Sequence, residues 1–324
     1  MNFRKICFSF ALVIAPAALQ AASIEGPRLG VVFDPATKAL RPILGIPGAA
    51  TLGQPLESDL ELRKIAVSPA QDYVLATHGE HNLVVVLATN RHPLTPVTVQ
   101  GADRGPDQIV ISSGGQAAAL YFKTGHVQVI SGLPGAPKIS TKLYVSAGQA
   151  PSALAVGDDG ATVLAGLGDS VYWISPNGEV PILQGLHKIV SIALTADHTA
   201  LIADSGANQI HRVRHVTGTP ESDIVAGSKE GIGAPVAVAM SRDGKRAFVA
   251  NSKSGIVTIV DLQARTAVDK LSCGCKPTGL DRLAGQDVFR LTGPSKQPMW
   301  VLEAATHQSR ILFVPPDLAG SSHK

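Results

Sequence analysis

Short apolar runs broken by small polar turns recur along most of the chain. In RAFVANSKSGIVTIVDL, residues 246–262, an apolar run meets a turn built on NSKSG. A second run follows, its apolar and polar positions alternating up to an aspartate. Alternation with a period of two marks a strand, and Gly and Asn at the break supply turn conformations that β-branched residues avoid. The phrase therefore predicts a β-hairpin. Units of this kind open at Ile65, Ile109, Ala153, Ile192, Val238 and Gly279, with IAVSPAQD, IVISSGGQ, ALAVGDDG, IALTADHT, VAMSRDGK and GLDRLAGQD. Each continues into a second run such as YVLATHGE or ALIADSGA, a third such as NLVVVLAT or QIHRVRH, and a weaker fourth such as TPVTVQG or TKLYVSAG.

The starts recur roughly every 40 residues, the spacing of propeller blades built from four strands. Near-continuous apolar strands such as NLVVVL suit burial on both faces, as between adjacent blades. The pattern predicts an all-β fold, a β-propeller of four-stranded blades, occupying residues 23–324 as one domain. Length divided by period gives seven blades; counting only complete units gives six as the alternative. Residues 29–45, LGVVFDPATKALRPILG, read as the third and fourth strands of a degenerate N-terminal blade. A ring must close to remove its exposed edges, so these strands are expected to pair with the C-terminal blade.

Composition narrows the class further. Hydrophobic residues make up 45% and charged residues 16%, with 32 Gly and 22 Pro, so the chain can bury a large core and has many turns to make. The net charge of +3 is spread over scattered Lys and Arg, which leaves no nucleic-acid footprint. At the N-terminus Arg4 and Lys5 precede an apolar stretch from Ile6 to Leu19 and then Gln20, Ala21 and Ala22. This is the form of a secretory signal peptide over residues 1–22. Its apolar core is shorter than the ~20 residues a bilayer requires. No later run is long and apolar enough to span, so the mature protein is expected to be periplasmic or extracellular, with no membrane span after cleavage.

The segment RAFVANSKSGIVTIVDLQARTAV resembles a YVTN-type propeller repeat, with AFVAN in place of the family's tyrosine-valine-threonine-asparagine run. ALIADSGANQIHRV is similar to the NHL repeat. The resemblance is best over residues 189–272 and weaker over 65–188. It implies a scaffold that serves many unrelated activities. It also implies that ligands meet the face bearing the second-to-third-strand turns and the blade linkers. On this chain that face would collect His78, Glu80, His81, Asp107, His126, Asp204, Asn208, Asn251 and Lys253.

Three stretches carry candidate chemistry. THGEHN, residues 77–82, offers imidazoles and a carboxylate, donors that suit a divalent metal, but one turn needs a further donor from another blade, such as His126 or Asp107. The alternative is a solvated polar turn. ADSGANQ, residues 203–209, could face a ligand channel, or its Asp and Asn could cap their own turn. LSCGCKPTG holds Cys273 and Cys275, the two cysteines left once Cys7 departs with the signal. They could form a disulfide that rigidifies the linker, a redox-active pair or, less readily, a soft-metal site. No nucleophile elbow, P-loop or dinucleotide fingerprint is present. The expectation is an exported scaffold that binds a protein or small molecule and has no recognisable catalytic set or predicted cofactor. The alternatives are a lactonase-like or metal-dependent propeller hydrolase, or a redox role for the Cys-Gly-Cys segment.

Overall fold

A computed structural model describes residues 26–316 apart from 58, 92, 147–148 and 305–307, so the expected signal peptide lies outside the described residues. The chain folds as a seven-bladed β-propeller with almost no helix; a short 3-10 turn at Ser228–Glu230 is the one helical element among the described residues. Six blades have four antiparallel strands and the N-terminal blade has three. No described helix is long and apolar enough to cross a membrane.

Blade 6 shows how the recurring phrase becomes structure. Its strands are Pro235–Met240, Arg246–Asn251, Ile256–Asp261 and Thr266–Ser272, each paired with the next. RAFVAN is buried along nearly its whole length because both of its faces meet neighbouring blades: Ala247 and Val249 pack toward blade 5, and Phe248 toward blade 7. The fourth strand alternates exposed and half-buried positions, as an outer strand should. The first strands are innermost and surround a central channel. The second-to-third-strand turns and the blade linkers lie on one face, called upper here. The first-to-second-strand turns lie on the other.

The N-terminal expectation needs correction in two respects. Residues 29–45 form the first and second strands of blade 1, Arg28–Asp34 and Ala39–Ile46, and Ala49–Leu52 is the third. They also do not join the sheet of the C-terminal blade, which builds all four strands from residues 281–314. The ring closes face to face instead. Leu29, Val32 and Ile43 pack against Leu283, Val288, Val301 and Val314, and Ala284 N–H donates to Leu29 O at 2.8 Å.

Gln71 latches this seam. Its Oε1 accepts from Val31 N–H at 2.8 Å, and its Nε2 donates to Arg282 O at 2.6 Å, so one buried side chain of blade 2 holds blades 1 and 7.

Candidate functional site

Of the nine polar residues expected at the ligand face, four, Asp107, Asp204, Asn208 and Asn251, bind the protein's own backbone. Asp204 ends the second strand of blade 5 and accepts four backbone N–H groups. Those of His187 and Lys188 lie at 2.9 Å, and those of Gly206 and Ala207 at 2.9 and 3.2 Å. Burial opposes its ionisation, but the four donors outweigh burial and hold the carboxyl below the usual carboxylate range. Asn208 Oδ1 accepts from Ala234 N–H at 2.6 Å, tying blade 5 to the linker into blade 6. Asn251 is fully buried. Its Oδ1 accepts from Gly233 N–H at 2.9 Å, while its Nδ2 donates to Val249 O, Ile256 O and Thr258 Oγ1. Asp107 accepts from Lys123 N–H at 2.8 Å and lies 3.5 Å from Lys123 Nζ.

The histidines fall in two places. His78 ends the second strand of blade 2 with its Nδ1 buried and unpartnered, while Glu80 and His81 are exposed on the adjoining turn. Among the described residues no three His, Cys, Asp or Glu side chains converge on one point, so THGEHN does not gain a donor from a second blade. His126 is buried in blade 3 with its ring stacked on Phe122 at 4.5 Å. Thr124 Oγ1 lies 2.8 Å from Nδ1 of His126, and Asp103 Oδ2 lies 3.0 Å from its Nε2. With the ring proton on Nε2, this is a continuous hydroxyl, imidazole and carboxylate chain. A hydrogen bond from Lys142, opposed by burial and aided by the charge of Lys142 and the hydrogen bond from His126, holds the Asp103 carboxyl below its ordinary range.

A large open space lies elsewhere. A cavity of about 940 Å³ occupies the channel and is lined by the first strands of the seven blades. Aliphatic side chains form part of its wall, with Val31, Ala66, Ile111, Val156, Leu194 and Met240 each supplied by a different blade. Its charged lining residues are Lys64, Asp158, Arg242, Asp281, Arg282 and Arg290. None of the candidate residues predicted from the sequence lines this cavity. Lys253 and Cys275 instead share a shallow depression on the upper face with Lys276. Sequence reasoning missed Asp158 and Arg242, although the phrase containing them, a polar turn after each first strand, recurs in GDDG and SRDGK.

The Cys273–Cys275 disulfide is formed. It lies in the linker from blade 6 to blade 7, where Cys273 is buried and Cys275 half-buried.

No protein-family model matches the chain. No curated protein matches it either. Solved structures do. A Desulfotomaculum acetoxidans protein of unknown function aligns at 14% identity and a TM-score of 0.59, covering 90% of this chain and 100% of that one. Virginiamycin B lyase from Staphylococcus aureus aligns at 14% identity and a TM-score of 0.56, over 79% of this chain and 85% of its own. The WD40 repeats of RRP9 reach a TM-score of 0.60 at 10% identity, covering 80% and 82% of the two chains. At such identities the likeness establishes a shared seven-bladed propeller fold and nothing finer.

Proposed function

We propose that the protein is an exported, non-catalytic propeller of the YVTN/NHL-like kind, working outside the cytoplasm and binding a small apolar or amphipathic ligand in its central channel. The observation that carries this reading is the channel itself. Its volume of about 940 Å³ falls within the usual range for ligand sites, and aliphatic side chains interspersed with a few polar and charged groups are their usual chemistry. The upper-face residues that a hydrolase would use, Asp107, Asp204, Asn208 and Asn251, are already engaged in fixing loops.

The test is native mass spectrometry of the protein isolated from its exporting host, compared with the denatured mass and with an Ala66→Trp variant that fills the channel. An organic mass retained by the wild type and absent from the variant is the expected result. A bare wild-type chain, or a ligand retained equally by both, would remove the channel from the reading.

One observation favours a second reading. The Thr124, His126 and Asp103 chain has the connectivity of an activated nucleophile, with Thr124 exposed to solvent, and would suit a propeller hydrolase. Turnover of an ester or lactone panel that disappears in both Thr124→Val and His126→Gln would establish it. A panel without turnover by the wild type would leave the chain as a hairpin support.

A further inference from the structure

The Cys-Gly-Cys segment differs from an ordinary structural cross-link in what it can stabilise. A disulfide acts mainly by shortening the loops of the unfolded chain, and here it closes a loop around a single residue, Gly274. The entropy removed is therefore at the small end for disulfides. The segment is already fixed by other means. Cys273 N–H donates to Gly255 O at 2.9 Å, and Cys273 packs in the apolar core between blades 6 and 7 with Val257, Phe289 and Leu302.

The two sulfur-bearing residues also differ in access. Cys273 is 1% exposed, whereas Cys275 is half-buried and lines the upper-face depression. Two lysines, Lys253 and Lys276, share that depression with Cys275, and neither is paired with a carboxylate among the described residues. Three serines, Ser252, Ser254 and Ser272, complete much of the wall. The more accessible residue of the disulfide thus sits in an open depression flanked by two lysines.

We propose that Cys273–Cys275 is a thiol–disulfide exchange site selective for small anionic thiols, with Cys275 as the sulfur attacked. An incoming thiolate, drawn by Lys253 and Lys276, forms a bond to Cys275 Sγ as the bond between the two cysteines breaks. Cys273 leaves as the thiolate. The backbone N–H of Cys275 lies 3.2 Å from Cys273 Sγ and is placed to hold that charge. With a dithiol, its second thiolate then attacks the reagent sulfur bound to Cys275 and expels Cys275 as a thiolate. The dithiol becomes a cyclic disulfide, two electrons pass to the protein, and the two cysteine thiolates take up the two protons that the dithiol gave up. Gly274, with φ of 58°, permits the turn that brings Cys275 back over Cys273.

The test treats the folded, oxidised protein at low ionic strength with glutathione, which is anionic, and with cysteamine, which is cationic, at equal thiolate concentration. Adducts are quenched with acid and mapped by peptide mass spectrometry. The expected adduct is on Cys275, with glutathione reacting about three- to tenfold faster than cysteamine, and the preference vanishing in 0.5 M salt or in a Lys253→Gln, Lys276→Gln double variant. A Cys273→Ser variant, which leaves Cys275 as a free thiol, should be alkylated faster by iodoacetate than by iodoacetamide relative to free cysteine. If that variant does not fold, adduct mapping on the wild type still decides. An adduct on Cys273, equal rates for the two thiols, or reduction only in step with loss of circular dichroism would overturn the proposal.

Discussion

Single carboxylates make up much of the polar framework of this propeller, and their environments separate those that matter to stability from those that do not. Asp287 is 2% exposed and accepts from Arg282 at 3.1 Å and Arg246 at 3.4 Å, with Arg242 N–H at 3.0 Å. Removing it would strand buried positive charge, so Asp287→Ala should lower stability by about 3–5 kcal/mol in guanidinium unfolding. Asp281 also pairs with an arginine, Arg290, but is 62% exposed, and Asp281→Ala should change stability by less than about 1 kcal/mol. Equal midpoints for the two variants would show that burial does not set the difference. Asp204 adds a pH signature. Its folded carboxyl titrates below the unfolded value, so its contribution is complete above the unfolded pKa of about 4 and is lost as pH falls through the folded pKa. Asp204→Asn should therefore be less stable than wild type by about 1–3 kcal/mol at pH 7, and the two should converge as the pH is lowered below about 4. A gap that stays constant down to pH 2 would contradict the hydrogen-bonded carboxylate.

At the scale of the hairpin, turn chemistry explains what was and was not legible. The NSKSG turn ends in Gly255 at φ 65°, where an added Cβ would lie 2.7 Å from Cys275 O. Gly244 has a similar φ of 71° with nothing within 4 Å. Gly244→Ala should then cost about 1 kcal/mol for the left-handed backbone alone, while Gly255→Ala should cost at least ~1 kcal/mol more, because the loop bearing the disulfide must move. Equal losses on denaturant unfolding would mean that the loop yields freely. Such turns made the second and third strands readable, since each is bounded by a residue only one geometry accepts. Turns also misled. Asp34 Oδ1 accepts from Ala36 N–H and Lys38 has φ of 53°; Asp261 Oδ1 accepts from Gln263 and Ala264 N–H and Arg265 has φ of 57°. DPATK and DLQAR are thus similar local structures, one after a first strand and the other after a third. A turn specifies that two strands pair but not where in the blade they stand, which is why residues 29–45 read as third and fourth strands. The first strand of blade 7, Asp281–Arg282, is too short to show any period.

The whole ring adds what no local pattern holds. Channel-facing residues such as Val156 and Leu194 are the same aliphatic types as the core around them, so only closure of seven blades distinguishes a lining from a core. Conversely, Asp204, Asn208 and Asn251 stand out as polar residues between apolar runs, yet their partners are backbone groups of neighbouring linkers that the sequence does not bring into view. Closure itself depends on a residue with no sequence signature. Gln71 looks like one polar letter in SPAQD, but it adopts φ of 64° and reaches both blades at the seam. Hydrophobic packing between blades 1 and 7 brings the faces together without fixing their register, and the two Gln71 hydrogen bonds supply direction. Gln71→Leu retains apolar volume but leaves Val31 N–H and Arg282 O without the amide. The expected loss is about 2–4 kcal/mol, from two buried backbone groups at about 1–2 kcal/mol each. Hydrogen exchange should locate that loss: the amides of Val31 and Ala284 should speed up by tenfold or more, while those in the hairpin of blade 4, on the far side of the ring, change little. Uniform acceleration across all blades would instead mean that the propeller opens as one cooperative unit and that the seam is no weaker than any other blade interface.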